Sequence, residues 1–75
     1  MRFDQQIDTR GTKCPMPVLK TKKALAKMQA GEVLMVLATD PASVADLAQF
    51  AQQTGHKILA QEQVGDEWHH YIEHK

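Results

Sequence analysis

The chain has 75 residues with nine basic and nine acidic side chains, so its formal net charge at pH 7 is zero. Hydrophobic residues make up 43% and charged residues 24%, as in ordinary globular proteins, and no linker, repeat or low-complexity tract interrupts them. One domain covering residues 1–75, with a thin core, is therefore expected. A single cysteine excludes an internal disulfide and any zinc site built from several thiolates.

No membrane partner is expected from the apolar runs of the chain. The longest of them, residues 33–38, is far short of the roughly 20 residues that span a bilayer. Residues 1–4 do not have the character of a secretory signal. A cytoplasmic location is expected.

The first half of the chain predicts a strand and then a basic helix. Residues 3–8 alternate weakly and predict a short strand, and residues 10–13 form a turn. Residues 17–29 have the spacing of an amphipathic helix that ends before Gly31. The face opposite its apolar stripe carries Lys20, Lys23 and Lys27.

The second half predicts a central strand, a second helix and a hairpin. Residues 32–39 are apolar enough for a strand in the middle of a sheet. Asp40 and Pro41 have the character of an N-cap and first helical position, and Gly55 ends that helix. Residues 56–64 and 67–73 alternate as two strands joined by a tight turn at Gly65.

The resulting β-α-β-α-β-β order belongs to the α/β class. Two helices are too few to cover both faces of a sheet. The order therefore favours a two-layer α/β sandwich with a mixed four-stranded sheet.

Cys14 stands between the basic turn and the first helix, directly before Pro15 and three residues before Pro17. If the helix begins at Pro15, Cys14 is its N-cap, and the restricted backbone presents the sulfur beyond the helix end. The helix dipole and the neighbouring Arg10 and Lys13 favour the thiolate.

The two prolines limit that effect on the sulfur, because neither has an N–H. Met16 is left as the main first-turn donor to the sulfur, so a moderately lowered pKa of Cys14 is expected. Such a pKa suits a thiol that transfers groups. The alternative interpretation is a structural cysteine at a stiff turn.

Residues 9–31 carry six basic side chains and no acidic one, and this segment contains the cysteine. The neutral total charge, the few aromatic residues and the lack of an RNA-binding motif argue against direct nucleic-acid binding. Docking of an acidic protein is favoured instead over a merely solvated face. The residues expected to contact partners are Arg10, Lys13, Met16, Lys20 and Lys23.

Two further groups of side chains have structural interpretations. His69 and His70 point to opposite faces of a strand, so with His74 they do not converge on a metal, and surface or edge-strand histidines are expected. Asp8 and Arg10 pair to fix the turn or orient a partner.

Residues 8–17 resemble the signature of the TusA/SirA-like sulfur carriers, in which Cys-Pro-x-Pro opens the first helix after a strand and a glycine turn. Further similarities follow in the family's order and spacing at residues 22–25, 31–32 and 40–42. The resemblance covers essentially the whole chain. The fold that it implies agrees with the predicted order of elements.

The resemblance implies a persulfide carrier. Cys14 would take a sulfane sulfur from a cysteine desulfurase or another sulfurtransferase and pass it to an acceptor protein, with Gly11, Pro15 and Pro17 supporting the motif. No metal or organic cofactor is implied. In one branch of the family the relay ends in thiolation of tRNA, and in others it serves sulfur oxidation or cofactor synthesis.

Two positions depart from the family pattern. Thr12 stands where the family usually has leucine, so one packing contact beneath the motif is missing or replaced. Ala51 follows Phe50 where some members have a second cysteine, which weakens the hypothesis of a thiol redox protein. The alternative function is a regulatory or RNA-binding module in which Cys14 is incidental.

Overall fold

The computed structural model describes residues 1–75 and contains four strands and two helices. They are β1 (Gln5–Asp8), α1 (Met16–Leu25), β2 (Val33–Ala38), α2 (Ser43–Thr54), β3 (Lys57–Val64) and β4 (Glu67–Glu73). This order confirms the predicted α/β sandwich. Neither helix has both the length and the apolar character needed to cross a bilayer.

The sheet is mixed, and its strand order is β1-β2-β4-β3. β1 pairs with β2 in parallel, whereas β4 runs antiparallel to both β2 and β3. The hairpin of β3 and β4 therefore places the last strand inside the sheet. β1 and β3 are its two edges.

The core lies mainly between the sheet and the two helices. Alternate residues of β2 and β4 point to the helices, and Leu34, Val36 and Ile72 there are completely buried. α1 and α2 supply Leu25 and Leu47 to the same cluster. A smaller cluster of Met35, Leu37 and Tyr71 covers the middle of the opposite face, so β2 is the predicted central strand.

Both helices are shorter than predicted. α1 ends at Leu25 because the N–H groups of Lys27 and Met28 bond three residues back, to Ala24 and Leu25, which tightens the chain into a turn. α2 begins at Ser43 because the Asp40 carbonyl and carboxylate accept hydrogen bonds in a separate turn before the helix. No side chain caps either helix.

His70 is a core residue, and the expectation of a surface or edge-strand histidine is wrong for it. β4 lies between two strands, and His70 is completely buried. The Gln61 Nε2 donates to the Val44 carbonyl at 2.9 Å and to His70 Nδ1 at 3.2 Å. The ring is therefore neutral with its proton on Nε2, which donates to Ser43 Oγ at 2.9 Å.

This arrangement predicts that acid weakens the fold through His70. Burial lowers the pKa of His70 from 6.5 to about 4, so below pH 6.5 the unfolded chain binds more protons than the native one. Stability attributable to this ring is complete above pH 6.5, is lost progressively as the pH falls below 6.5, and is gone once the pH is below about 4. Urea denaturation across this range measures the slope.

His70→Gln should flatten that slope. The neighbouring His69→Gln is the control and should keep most of it, because burial, and not the charge of His69, is the main cause of the lowered pKa of His70. The absolute stability of each variant is not the readout, because the loss of the buried ring costs stability at every pH. An unchanged slope in His70→Gln would show that other groups cause the acid sensitivity.

Two completely buried threonines form a natural pair for a stability test. The Thr21 hydroxyl has no hydrogen-bond partner, whereas the Thr9 hydroxyl donates to the Leu37 carbonyl at 2.6 Å. We expect Thr21→Val to leave the free energy of unfolding unchanged or to raise it by up to about 1 kcal/mol. Thr9→Val should lower it by about 1–2 kcal/mol. Equal losses in the two variants, measured by urea denaturation, would contradict this assignment.

Candidate functional site

The loop from β1 to α1 is fastened to the end of β2. The Thr9 N–H and hydroxyl both donate to the Leu37 carbonyl, at 2.8 and 2.6 Å. The Gly11 N–H donates to Thr39 Oγ1 at 2.9 Å, and the φ angle of 80° at Gly11 favours glycine at this turn. The backbone that leads to Cys14 is therefore held against the end of β2.

Thr12 contributes a hydrogen bond where the family usually has a leucine. Its hydroxyl and its N–H both donate to the Thr9 carbonyl, at 2.6 and 3.2 Å. The expected missing packing contact is thus replaced by a local polar one, which closes the turn upon itself.

Asp40 joins the cysteine loop to the beginning of α2. One carboxylate oxygen accepts the Cys14 N–H at 2.9 Å, and the other accepts the Ala42 N–H at 3.0 Å. The bonds from Ala42 and Cys14 hold the pKa of Asp40 below its ordinary value. A carboxylate fixed from two sides holds the backbone of Cys14 in place.

The prolines lie on either side of the helix start, with different surroundings. Pro15 is exposed and occupies the N-cap position, so the prediction of Cys14 as the N-cap is wrong by one residue. The Cys14–Pro15 peptide bond is cis. Pro17 is buried beneath the first turn. Cys14 itself is exposed.

The pKa of Cys14 is raised, and the expected lowering is wrong. The Asp46 carboxylate, which favours the protonated sulfur, is the largest cause, followed by the loss of hydration and the negative charges of Asp46 and Asp40. The Met16 N–H, expected to serve the sulfur, donates to the Lys13 carbonyl at 2.8 Å instead.

Sequence reasoning missed Asp46 because its approach depends on how α2 packs. Asp46 lies in the first turn of α2, and the loop bond to Asp40 brings that end of the helix to the cysteine. The only signal in the sequence was an acidic residue near a predicted helix start. Nothing local connects that residue with Cys14.

Arg10 is committed to contacts within the protein. Its guanidinium donates to both oxygens of Asp8, at 2.9 and 2.8 Å, and to Glu67 at 3.0 Å. The bonds from Arg10 lower the pKa of Asp8 to about 2. The predicted pairing with Asp8 is confirmed, and the contact with Glu67 ties the turn to β4.

The remaining predicted site residues separate into two groups. Met16 and the neighbouring Leu19 are 40% and 51% exposed on α1. Lys13 is exposed in the loop, so the residues on either side of Cys14 in the chain form an exposed surface that is both apolar and basic. Lys20 and Lys23 instead line a groove between α1 and β1. The structure does not place them among the groups that shift the pKa of the thiol.

Residues 5–74 match the family model described as sulfurtransferase TusA. The chain belongs to the TusA family. It is 46% identical over 70 residues to the sulfur carrier protein TusA of Allochromatium vinosum, which covers 93% of this chain and 92% of that protein. This TusA-family fold also matches the crystal structure of a SirA-like protein from Desulfitobacterium hafniense, with a TM-score of 0.82, 32% identity and coverage of 93% and 96%.

These comparisons confirm the resemblance carried by residues 8–17 and support a sulfur carrier role. The match to a solved structure confirms the arrangement of the two helices and four strands. In this TusA-family chain the motif cysteine is Cys14.

The position of Asp46 predicts that Cys14 reacts faster when the charge of Asp46 is removed. Asp46→Asn keeps the size of the side chain but removes the main cause of the raised pKa of Cys14. We expect the rate of alkylation by iodoacetamide at neutral pH to rise about two- to fivefold, since the gain in thiolate outweighs the loss of nucleophilicity.

Asp66→Asn, in the exposed turn between β3 and β4, is the control for a general change of charge. Its alkylation rate should equal that of the wild type. A pH profile of the rate should shift to lower pH in Asp46→Asn alone. An unshifted profile would show that Asp46 does not act on the sulfur.

Proposed function

We propose that this protein receives a sulfane sulfur on Cys14 from a cysteine desulfurase or another sulfurtransferase and relays it to an acceptor protein. The observation that carries the proposal is the exposed sulfur of Cys14 at the family's motif position, on a loop bonded to β2 and to Asp40. A carrier needs a sulfur that a partner protein can reach while the carrier stays folded. Residues 1–75 would act as one carrier domain in the cytoplasm.

The two transfers are displacements that leave no net oxidation. The Cys14 thiolate attacks the terminal sulfur of the donor persulfide, forming a new S–S bond while the donor's S–S bond breaks and its thiolate leaves. An acceptor thiolate then attacks the terminal sulfur on Cys14, and the Cys14 thiolate leaves. The proton of the Cys14 thiol is lost before the first attack and returns after the second.

The raised pKa of Cys14 fits a thiol that reacts inside complexes. In the free protein the Asp46 carboxylate further disfavours the thiolate, which is the form that attacks. A partner cation that pairs with Asp46 would remove the chief cause of that shift. A larger fraction of the sulfur would then be thiolate in the complex than in the free protein.

The other site residues have supporting roles in this proposal. Gly11, Pro15 and Pro17 shape the loop that presents the sulfur. Arg10 holds the turn, and so aids docking by keeping the surface in place. The residues proposed to contact donor and acceptor proteins are Lys13, Met16, Lys20 and Lys23. A tRNA 2-thiouridine pathway is one destination, and sulfur metabolism is another.

Sulfur loading of Cys14 can be measured by the intact mass of the reduced protein. Incubation with a cysteine desulfurase and cysteine, or with polysulfide, should add the mass of one sulfur atom. A reductant should remove it. Cys14→Ser should gain nothing under either condition, because no other thiol is present.

The polysulfide arm separates donor choice from chemistry. Loading by polysulfide but not by the desulfurase would identify a different donor and keep the carrier role. Failure in both arms would overturn the proposal. Tight binding of an RNA by both the wild type and Cys14→Ser would then favour the regulatory or RNA-binding module.

A further inference from the structure

A groove of about 740 Å³ runs between α1 and the edge strand β1. Its apolar lining comes from Ile7 on β1, from Ala24 on α1 and from Met28 after the end of α1. The rest of the lining is polar and carries three basic side chains. It consists of Lys20, Lys23 and Lys27 together with Gln5, Gln29 and Glu32.

The positive charge of this groove is not neutralised within the protein. None of its three lysines forms a salt bridge, and all of the salt bridges involve Arg10 or His69 as the basic partner. Glu32 also lines the groove, where its carboxylate accepts the Gln29 N–H at 2.7 Å. Three cations against one carboxylate leave an anion-attracting surface.

The groove lies along an unpaired strand edge. β1 is the first strand in the order β1-β2-β4-β3, so only one of its edges is hydrogen-bonded to a neighbour. An open edge presents backbone donors and acceptors to any extended chain that fits beside it. Edge strands are commonly protected by their own charged side chains, whereas here the lysines come from α1 and the turn after it.

From this juxtaposition we infer that the groove binds an extended acidic segment of a partner protein, which adds to the sheet as a fifth strand beside β1. Alternate carboxylates of the segment would face Lys20, Lys23 and Lys27. Lys20 and Lys23 lie about 4.5 Å apart along the axis of α1, and Lys27 follows in the turn after it, whereas acidic residues two apart on a strand repeat about every 7 Å. The inference rests on the proposed function only in that a carrier docks on other proteins; it does not require Cys14.

A second copy of the chain fits the groove less well. The carboxylate of Asp8 is bonded to Arg10, and that of Asp4 accepts the Val33 N–H at 2.8 Å, so β1 has no free acid to offer. Two grooves facing one another would also bring two sets of lysines together.

A single-stranded nucleic acid also fits less well. Such ligands gain much of their affinity from bases stacked on aromatic rings. The groove is lined without an aromatic side chain.

The test is a titration followed by amide resonances and by hydrogen exchange of β1. The probe is a short capped peptide of alternating threonine and glutamate. One control peptide has glutamine in place of glutamate. The other is N-methylated at alternate amides, which keeps its charge but prevents strand pairing.

We expect the acidic peptide to shift and protect residues 5–8, and both control peptides to bind about tenfold more weakly or not at all. The double variant Lys20→Glu with Lys23→Glu should lose about tenfold in affinity, whereas Lys22→Glu, outside the groove on the same helix, should lose less than about twofold. Cys14→Ser should bind like the wild type.

Equal binding of the N-methylated peptide would overturn strand addition. Absence of binding by the acidic peptide, preference for a uridine oligonucleotide, or concentration-dependent dimers that block the peptide would each overturn the inference. Sulfur loading by polysulfide is measured on the same lysine variants. Failure of the groove to bind the peptide is thereby distinguished from failure of Cys14 to accept sulfur.

Discussion

The carboxylate of Asp40 is the contact on which the site depends. It accepts the backbone N–H of Cys14 with one oxygen and that of Ala42 with the other, so the loop before α1 and the turn before α2 are fixed to one group. Charged acceptors make stronger hydrogen bonds than neutral ones. Because both donors are backbone groups, the two bonds do not depend on the side chains of Cys14 and Ala42.

That constraint explains why a basic segment carries a thiol with a raised pKa. Fixing the end of α2 beside the loop brings the Asp46 carboxylate to the sulfur, while Arg10 is turned away to Asp8 and Glu67. Near contacts outweigh the summed charge of the segment, because at moderate salt exposed charges more than about 10 Å apart are largely screened from one another. The local electrostatics of Cys14 are therefore acidic although its sequence neighbours are basic.

The sequence could predict those features that depend on local pattern, including the order of elements, the central strand and the exposed Cys14. It could not place β4 between β2 and β3, because the pairing of strands is a long-range choice, and so the burial of His70 went unrecognised. The prediction of a lowered pKa for Cys14 was wrong for the same reason. Asp46 is distant in sequence, whereas the pairing of Asp8 with Arg10, two residues apart, was predictable.

The separation of sulfur and groove bears on how a carrier serves two proteins in turn. Donor and acceptor must reach the same atom of Cys14, so neither can bind tightly over it without obstructing the other. Under the inferred docking, the groove along β1 supplies affinity away from the sulfur, through backbone pairing and the lysines that line it. Charge contacts of this exposed kind mainly speed encounter and add little to residence time. Such a surface favours rapid exchange of partners, which a relay through one sulfur atom requires.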